Sequence, residues 1–150
     1  MNTELFSEAV AMAQERQHVF ITTADAGGWP HLTSVGGFAL ASDQHIDLSD
    51  WFCPLVEANL QQNAKITIVV WDIATDTGYQ MLGEVEAVTA LEGIVHSQEE
   101  HPLFGQSPKS LRVRVNKVLH FSHAPHDDVE PEKTSDYLFP AKYRATVLEV

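Results

Sequence analysis

Residues 20 to 40 place two β-prone runs on either side of a turn, and this pairing constrains the fold more than any other stretch. The first run, Val19-Phe20-Ile21-Thr22-Thr23, is β-branched or aromatic throughout. Such side chains suit a pleated, half-buried surface. Asp25, Gly27, Gly28 and Pro30 follow. Glycine there accepts positive φ and proline fixes its own φ, so the short gap predicts a hairpin with a longer loop. The second run begins at His31 and ends in Gly36-Gly37. A strand without side chains at that point lets another backbone or a flat ligand come close.

The remaining chain extends this β pattern. Leu5, Phe6, Ala9, Val10 and Ala13 recur at helical spacing, with Glu4, Glu8, Gln14 and Glu15 elsewhere. They predict an amphipathic helix over 4–16, capped by Thr3 or Ser7. Strands are expected at 18–24, 31–41 and, after the turn Ser42-Asp43-Gln44, at 45–49. Pro54 suits the first turn of a helix over 54–62, with Leu55, Val56 and Leu60 as its apolar side. Residues 65–71 are nearly all apolar and read as a strand buried on both faces. Residues 79–91 and 110–122 alternate as strands. In the latter, Leu111, Val113, Val115 and Lys117 share one face, and Arg112, Arg114, Asn116 and Val118 the other. A further helix is expected near 92–100, ended by Pro102.

This order predicts one mainly β domain with flanking helices over residues 1–122, built as a six-stranded antiparallel barrel, closed or partly closed. From His123 the chain turns polar. Asp127, Asp128, Glu130 and Glu132 predict a solvated linker. Tyr137, Leu138, Phe139 and Tyr143 behind it are too apolar for a free tail. Residues 123–150 are therefore expected to dock on the body or on a partner subunit.

The formal net charge of −12 sets nucleic acid and anionic lipid aside as partners, since both would be repelled. No apolar run approaches the roughly 18 residues that span a bilayer. Glu4 and Glu8 stand where a signal peptide would be basic and then apolar. The single cysteine, Cys53, cannot form an internal disulfide, which fits a reducing compartment. The expected location is the cytoplasm.

Two further groups of reactive side chains read as structural. Cys53 precedes a proline at a helix start, a place where thiols can be nucleophilic. A nucleophile needs a base, none can be assigned from the sequence, and a structural thiol is expected. His120, His123 and His126 straddle a strand end and the linker at a spacing that fits no strong zinc pattern, so no metal is expected. Asp25-Ala26-Gly27-Gly28 precedes a strand and so is a turn, not a dinucleotide fingerprint.

The element order, with Trp29-Pro30-His31-Leu32 and Val56-Glu57-Ala58-Asn59-Leu60, resembles the FMN-binding split barrels over residues 3 to 122. That superfamily includes pyridoxamine phosphate oxidase and a set of small flavoproteins. The resemblance implies a homodimer with FMN at its interface and an oxidoreductase acting on a small molecule. It names no catalytic side chain, because the flavin does the redox chemistry. It sets Thr33, Ser34, Val35 and Gly36 under the isoalloxazine ring, and Leu48, Ser49, Asp50 and Trp51 beside the ribityl chain and phosphate. Trp51 could also stack on a ring. Small members place a basic and then a hydroxyl residue before Glu-Ala-Asn to hold the phosphate. Here those positions are Leu55 and Val56, which can do neither, and Asp50 would repel it. The free N–H groups at a helix start near Pro54, and the cations Lys65, Arg112 and Arg114, are the remaining anchors. The second reading is a flavin-free split barrel serving as a binding or regulatory module.

Overall fold

The structure, a computed structural model, describes residues 1–49, 51, 53–90 and 109–123. The first helix, α1 (Thr3–Arg16), is capped by Asn2, whose Oδ1 accepts from the backbone N–H groups of Glu4 and Leu5 at 3.0 and 3.2 Å. Thr3 and Ser7, the expected caps, lie inside the helix. Its buried stripe is Phe6, Ala9, Val10 and Ala13.

Then come β1 (Val19–Ala24), β2 (Pro30–Val35), β3 (Gly37–Ser42), β4 (His45–Ser49), α2 (Pro54–Gln62), β5 (Lys65–Asp72), β6 (Thr77–Ala90) and β7 (Lys109–His120). The strands form one antiparallel sheet in the order β2-β1-β5-β6-β7-β4-β3. The described residues thus hold seven strands, not six. The extra strand arises at Gly36, where the single run expected over 31–41 breaks. β2 pairs with β1 and β3 pairs with β4, at opposite edges of the sheet. One residue joins those edges, so the sheet curls until they meet, leaving a seam without a ladder. The result is a split barrel. Gly36 and Gly37 mark the place, but local pattern does not show that the pairing partner changes there.

Ile21, Ile46, Leu48, Ile68, Met81, Leu111 and Val113 fill the interior. Two expectations about facing change. In β5 the inner face (Ile66, Ile68, Val70) is buried, but Lys65 and Trp71 on the other face are exposed. Thr67 and Val69 are half-covered, so this strand is not buried on both sides. In β7 the pairing with β6 shifts between Leu82 and Gly83, which skips Asn116. That irregularity reverses the alternation, turning Val118 inward and leaving Lys117 half-exposed. No helix of the described residues is long and apolar enough to cross a membrane. The helix expected near 92–100 and the tail beyond His123 lie outside the described residues.

Candidate functional site

The seam brings several of the expected flavin positions together. Val35 and Gly36 end the first edge, and Gly37 and Phe38 pair with Ser49 and Leu48 on β4. A Cβ on Gly37 would sit 2.1 Å from Ser49 Oγ, so the missing side chain is what lets that hydroxyl lie against the seam. Val35 and Leu48 are buried, and they offer a ligand only their backbone. The alternation turns Thr33 inward on the side of His31 and Val35, half-buried, and leaves Ser34 exposed. Among the described residues β2 pairs on one side only, with β1. Half of its backbone N–H and C=O groups therefore face an open edge.

Two positions do not join this group. Trp51 is buried in the core, and its Nε1 is enclosed without a hydrogen-bond partner. Lys65 lies at the far end of the barrel. Continuing the β1–β5 register from Thr22 opposite Thr67 sets Lys65 across from Ala24, whereas Val35 lies across from Val19. Five residues of strand separate them, about 17 Å. Asp50 lies outside the described residues.

The start of α2 carries no phosphate-binding side chain. Pro54 opens the helix, Leu55 is exposed and Val56 is fully buried. Val56 thus belongs to the core, and of the predicted apolar side Leu55 faces away. Glu57 accepts from Lys109 Nζ at 2.6 and 2.5 Å, so the nearby cation is neutralised. Asn59 is buried and donates to Thr23 Oγ1. Cys53 makes no cap hydrogen bond; its thiol lies 3.2 Å from His31 Nε2 on β2. The sequence offered no histidine partner for Cys53 because the two are 22 residues apart.

Both arginines named as reserve anchors are engaged. Arg112 donates to both oxygens of Asp47 at 2.9 and 2.8 Å, and this pairing holds the Asp47 carboxyl below the usual carboxylate range. Arg114 donates to Glu86 at 2.7 Å, Glu84 at 3.0 Å and Asn116 at 2.6 Å. Of the three histidines, His120 packs on the Tyr79 ring at 5.6 Å and the His123 backbone N–H donates to Asp76. His126 lies outside the described residues. No group of three His, Cys, Asp or Glu side chains among the described residues could hold a metal.

The outer face of β2, β1 and β5 was not anticipated as a site. Register places Leu32, Phe20, Val69 and Trp71 on it as neighbours, with Phe20 50 % and Leu32 61 % exposed. Beside them runs a groove of about 370 Å³, lined by Thr22, Asn63, Lys65, Thr67, Glu84 and Asn116 among others.

The model of the pyridoxamine 5'-phosphate oxidase family matches residues 5–116. No curated protein matches the chain. Among solved structures, an FMN-binding protein from Syntrophomonas wolfei superposes with a TM-score of 0.65 at 18% identity, covering 81% of this chain and 89% of that one. A pyridoxamine 5'-phosphate oxidase-related, FMN-binding protein from Nostoc punctiforme gives 0.56 at 11% identity, covering 79% and 83%. HutZ, the heme storage protein of Vibrio cholerae, gives 0.51 at 14% identity, covering 77% and 93%. At such identities the likeness is one of fold.

Proposed function

The chain belongs to the pyridoxamine 5'-phosphate oxidase family, and on that premise we propose that it binds FMN between two copies of itself and acts as an oxidoreductase on a small molecule in the cytoplasm. The observation that carries this reading is the outer face, where exposed Phe20 and Leu32 adjoin the open edge of β2. An exposed apolar face is suited to a flat ring and a second copy of the chain. Bound FMN would supply the electron-transfer chemistry. The residues that would hold it are the backbone from Thr33 to Gly36 and the exposed Ser34 hydroxyl, with Leu48 and Ser49 across the seam. Trp51 would support this region from the core.

The start of α2 does not fit a phosphate, because neither Leu55 nor Val56 can bind one and Lys109 is held by Glu57. That observation favours the second reading, a flavin-free binding or regulatory module. The two separate on one measurement. Purified protein, with FMN or riboflavin added, should show the visible bands of bound flavin and sediment as a dimer. A chain that alters the spectrum and fluorescence of neither flavin would leave the module reading standing.

A further inference from the structure

Cys53 is the single cysteine of the chain, and the fold gives it a base that its sequence neighbours do not supply. Its sulfur lies 3.2 Å from His31 Nε2. A thiol that close to an imidazole nitrogen can pass its proton to the ring, the arrangement that makes a sulfur nucleophilic. The contact is held from both sides. His31 stands opposite Thr23 in the β1–β2 ladder, and Thr23 accepts from Asn59 on α2 at 3.0 Å. One rung of that ladder therefore meets α2 through Asn59 and meets Cys53 immediately before the helix. The sulfur makes no capping bond to the helix, so its hydrogen-bond partner among the described residues is the ring alone. Its place at the helix start adds the positive end of the α2 dipole, which favours negative charge. Cys53 packs against the core but is only partly buried, which leaves its sulfur open to a small reagent.

We propose that Cys53 and His31 form a reactive pair, and that Cys53 is a site of oxidation by hydrogen peroxide. A small, uncharged oxidant is the kind that reaches a half-buried sulfur beside an apolar core. In the step, the Cys53 proton passes to His31 Nε2 and Sγ attacks one peroxide oxygen. The S–O bond forms as the O–O bond breaks. The departing hydroxide takes the proton from His31 and leaves as water. Sulfur is oxidised by two electrons to the sulfenic acid, and the peroxide is reduced by the same two. His31 acts first as general base and then as general acid. This site goes beyond the flavin reading and does not depend on it.

The chain has no other thiol, so the mass of the intact protein reads Cys53 directly. The full-length protein is treated with hydrogen peroxide at neutral pH, and the sulfenic acid is trapped with dimedone. The rate is compared with that of the same chain unfolded in urea. A merely structural thiol is shielded by folding and reacts more slowly native than unfolded. The native wild type should instead react faster than the unfolded chain, by about tenfold or more. His31→Gln keeps a polar group beside the sulfur but cannot take its proton. Its native rate should fall by about tenfold or more, while its unfolded rate matches that of the wild type. A native rate no higher than the unfolded one, or a native rate that His31→Gln retains, overturns the proposal. If His31→Gln does not fold, the ratio of native to unfolded rate in the wild type decides.

Discussion

Asn59 on α2 donates its side-chain amide to the hydroxyl of Thr23 on β1 at 3.0 Å, and both residues are buried. This bond fixes α2 on the barrel. Thr23→Val keeps the volume but leaves the Asn59 amide enclosed without that acceptor, and should cost about 1–3 kcal/mol. Adding Asn59→Leu should cost less than the two single losses summed. Chemical denaturation of the four chains measures the coupling, and strict additivity would show that the bond does not matter.

Gly83 sits where β6 shifts register against β7. A Cβ there would lie 2.5 Å from the Arg114 carbonyl oxygen and 2.8 Å from Val113 Cγ1. Backbone has little room to yield, so Gly83→Ala should lower stability by about 1–3 kcal/mol. Gly37→Ala meets chiefly the Ser49 hydroxyl, which can rotate, and should cost less. Ser49→Ala in the same chain should recover most of that smaller loss. Thermal midpoints of the three variants give the ranking; a Gly37→Ala loss exceeding that of Gly83→Ala would contradict it.

The start of α2 predicts a contrast between adjacent positions. Leu55 is exposed, so Leu55→Lys should change stability by less than about 0.5 kcal/mol. Val56 is fully buried, and Val56→Thr would enclose a hydroxyl at a cost of about 1–3 kcal/mol. Urea midpoints check both. Equal effects would mean that Val56 is not part of the core.

Tyr79 predicts an alkaline limit. Burial, then the hydrogen bond from its hydroxyl to Glu8 at 2.8 Å and the charge of that carboxylate, push the phenol up to about 12. In the unfolded chain it ionises near 10, as about expected for tyrosine. Below pH 10 both states keep the proton and the contribution is whole. Between pH 10 and about 12 the unfolded state loses it first, so stability falls as pH rises. Tyr79→Phe should flatten the stability profile across that window. An unchanged slope would assign the alkaline loss to other groups.

Much of the barrel was readable because β4, β5 and the first half of β7 repeat apolar side chains every second residue, and Pro54 marks the first position of α2 as expected. What escaped depends on partners. The run over 31–41 looks continuous, yet Gly36 hands the chain from β1 to β4. The alternation in β7 reverses after Asn116 because β6 sets the register there. Asn59 within the Glu-Ala-Asn motif serves Thr23, and Cys53 has His31, through contacts between residues 36 and 22 positions apart. Arg112 and Arg114 carry charge that a sequence counts as available, but carboxylates on β4 and β6 occupy it. The apolar face around Phe20 and Leu32 follows from register, which β-prone residues do not specify by themselves.

Because β2 and β3 share no ladder, cutting the chain at Gly36 would break no rung of the sheet. The β1–β2, β3–β4 and β5–β6 turns join strands that also hold each other by hydrogen bonds; this one-residue junction, like the longer connection through α2 from β4 to β5, joins strands that do not. A circular permutant opened at Gly36 would keep all its strand pairs and lose only the covalent tie across the seam. The barrel's circumference is therefore held at this line by one residue and by side-chain packing, and widening there requires less work than anywhere along the paired strands.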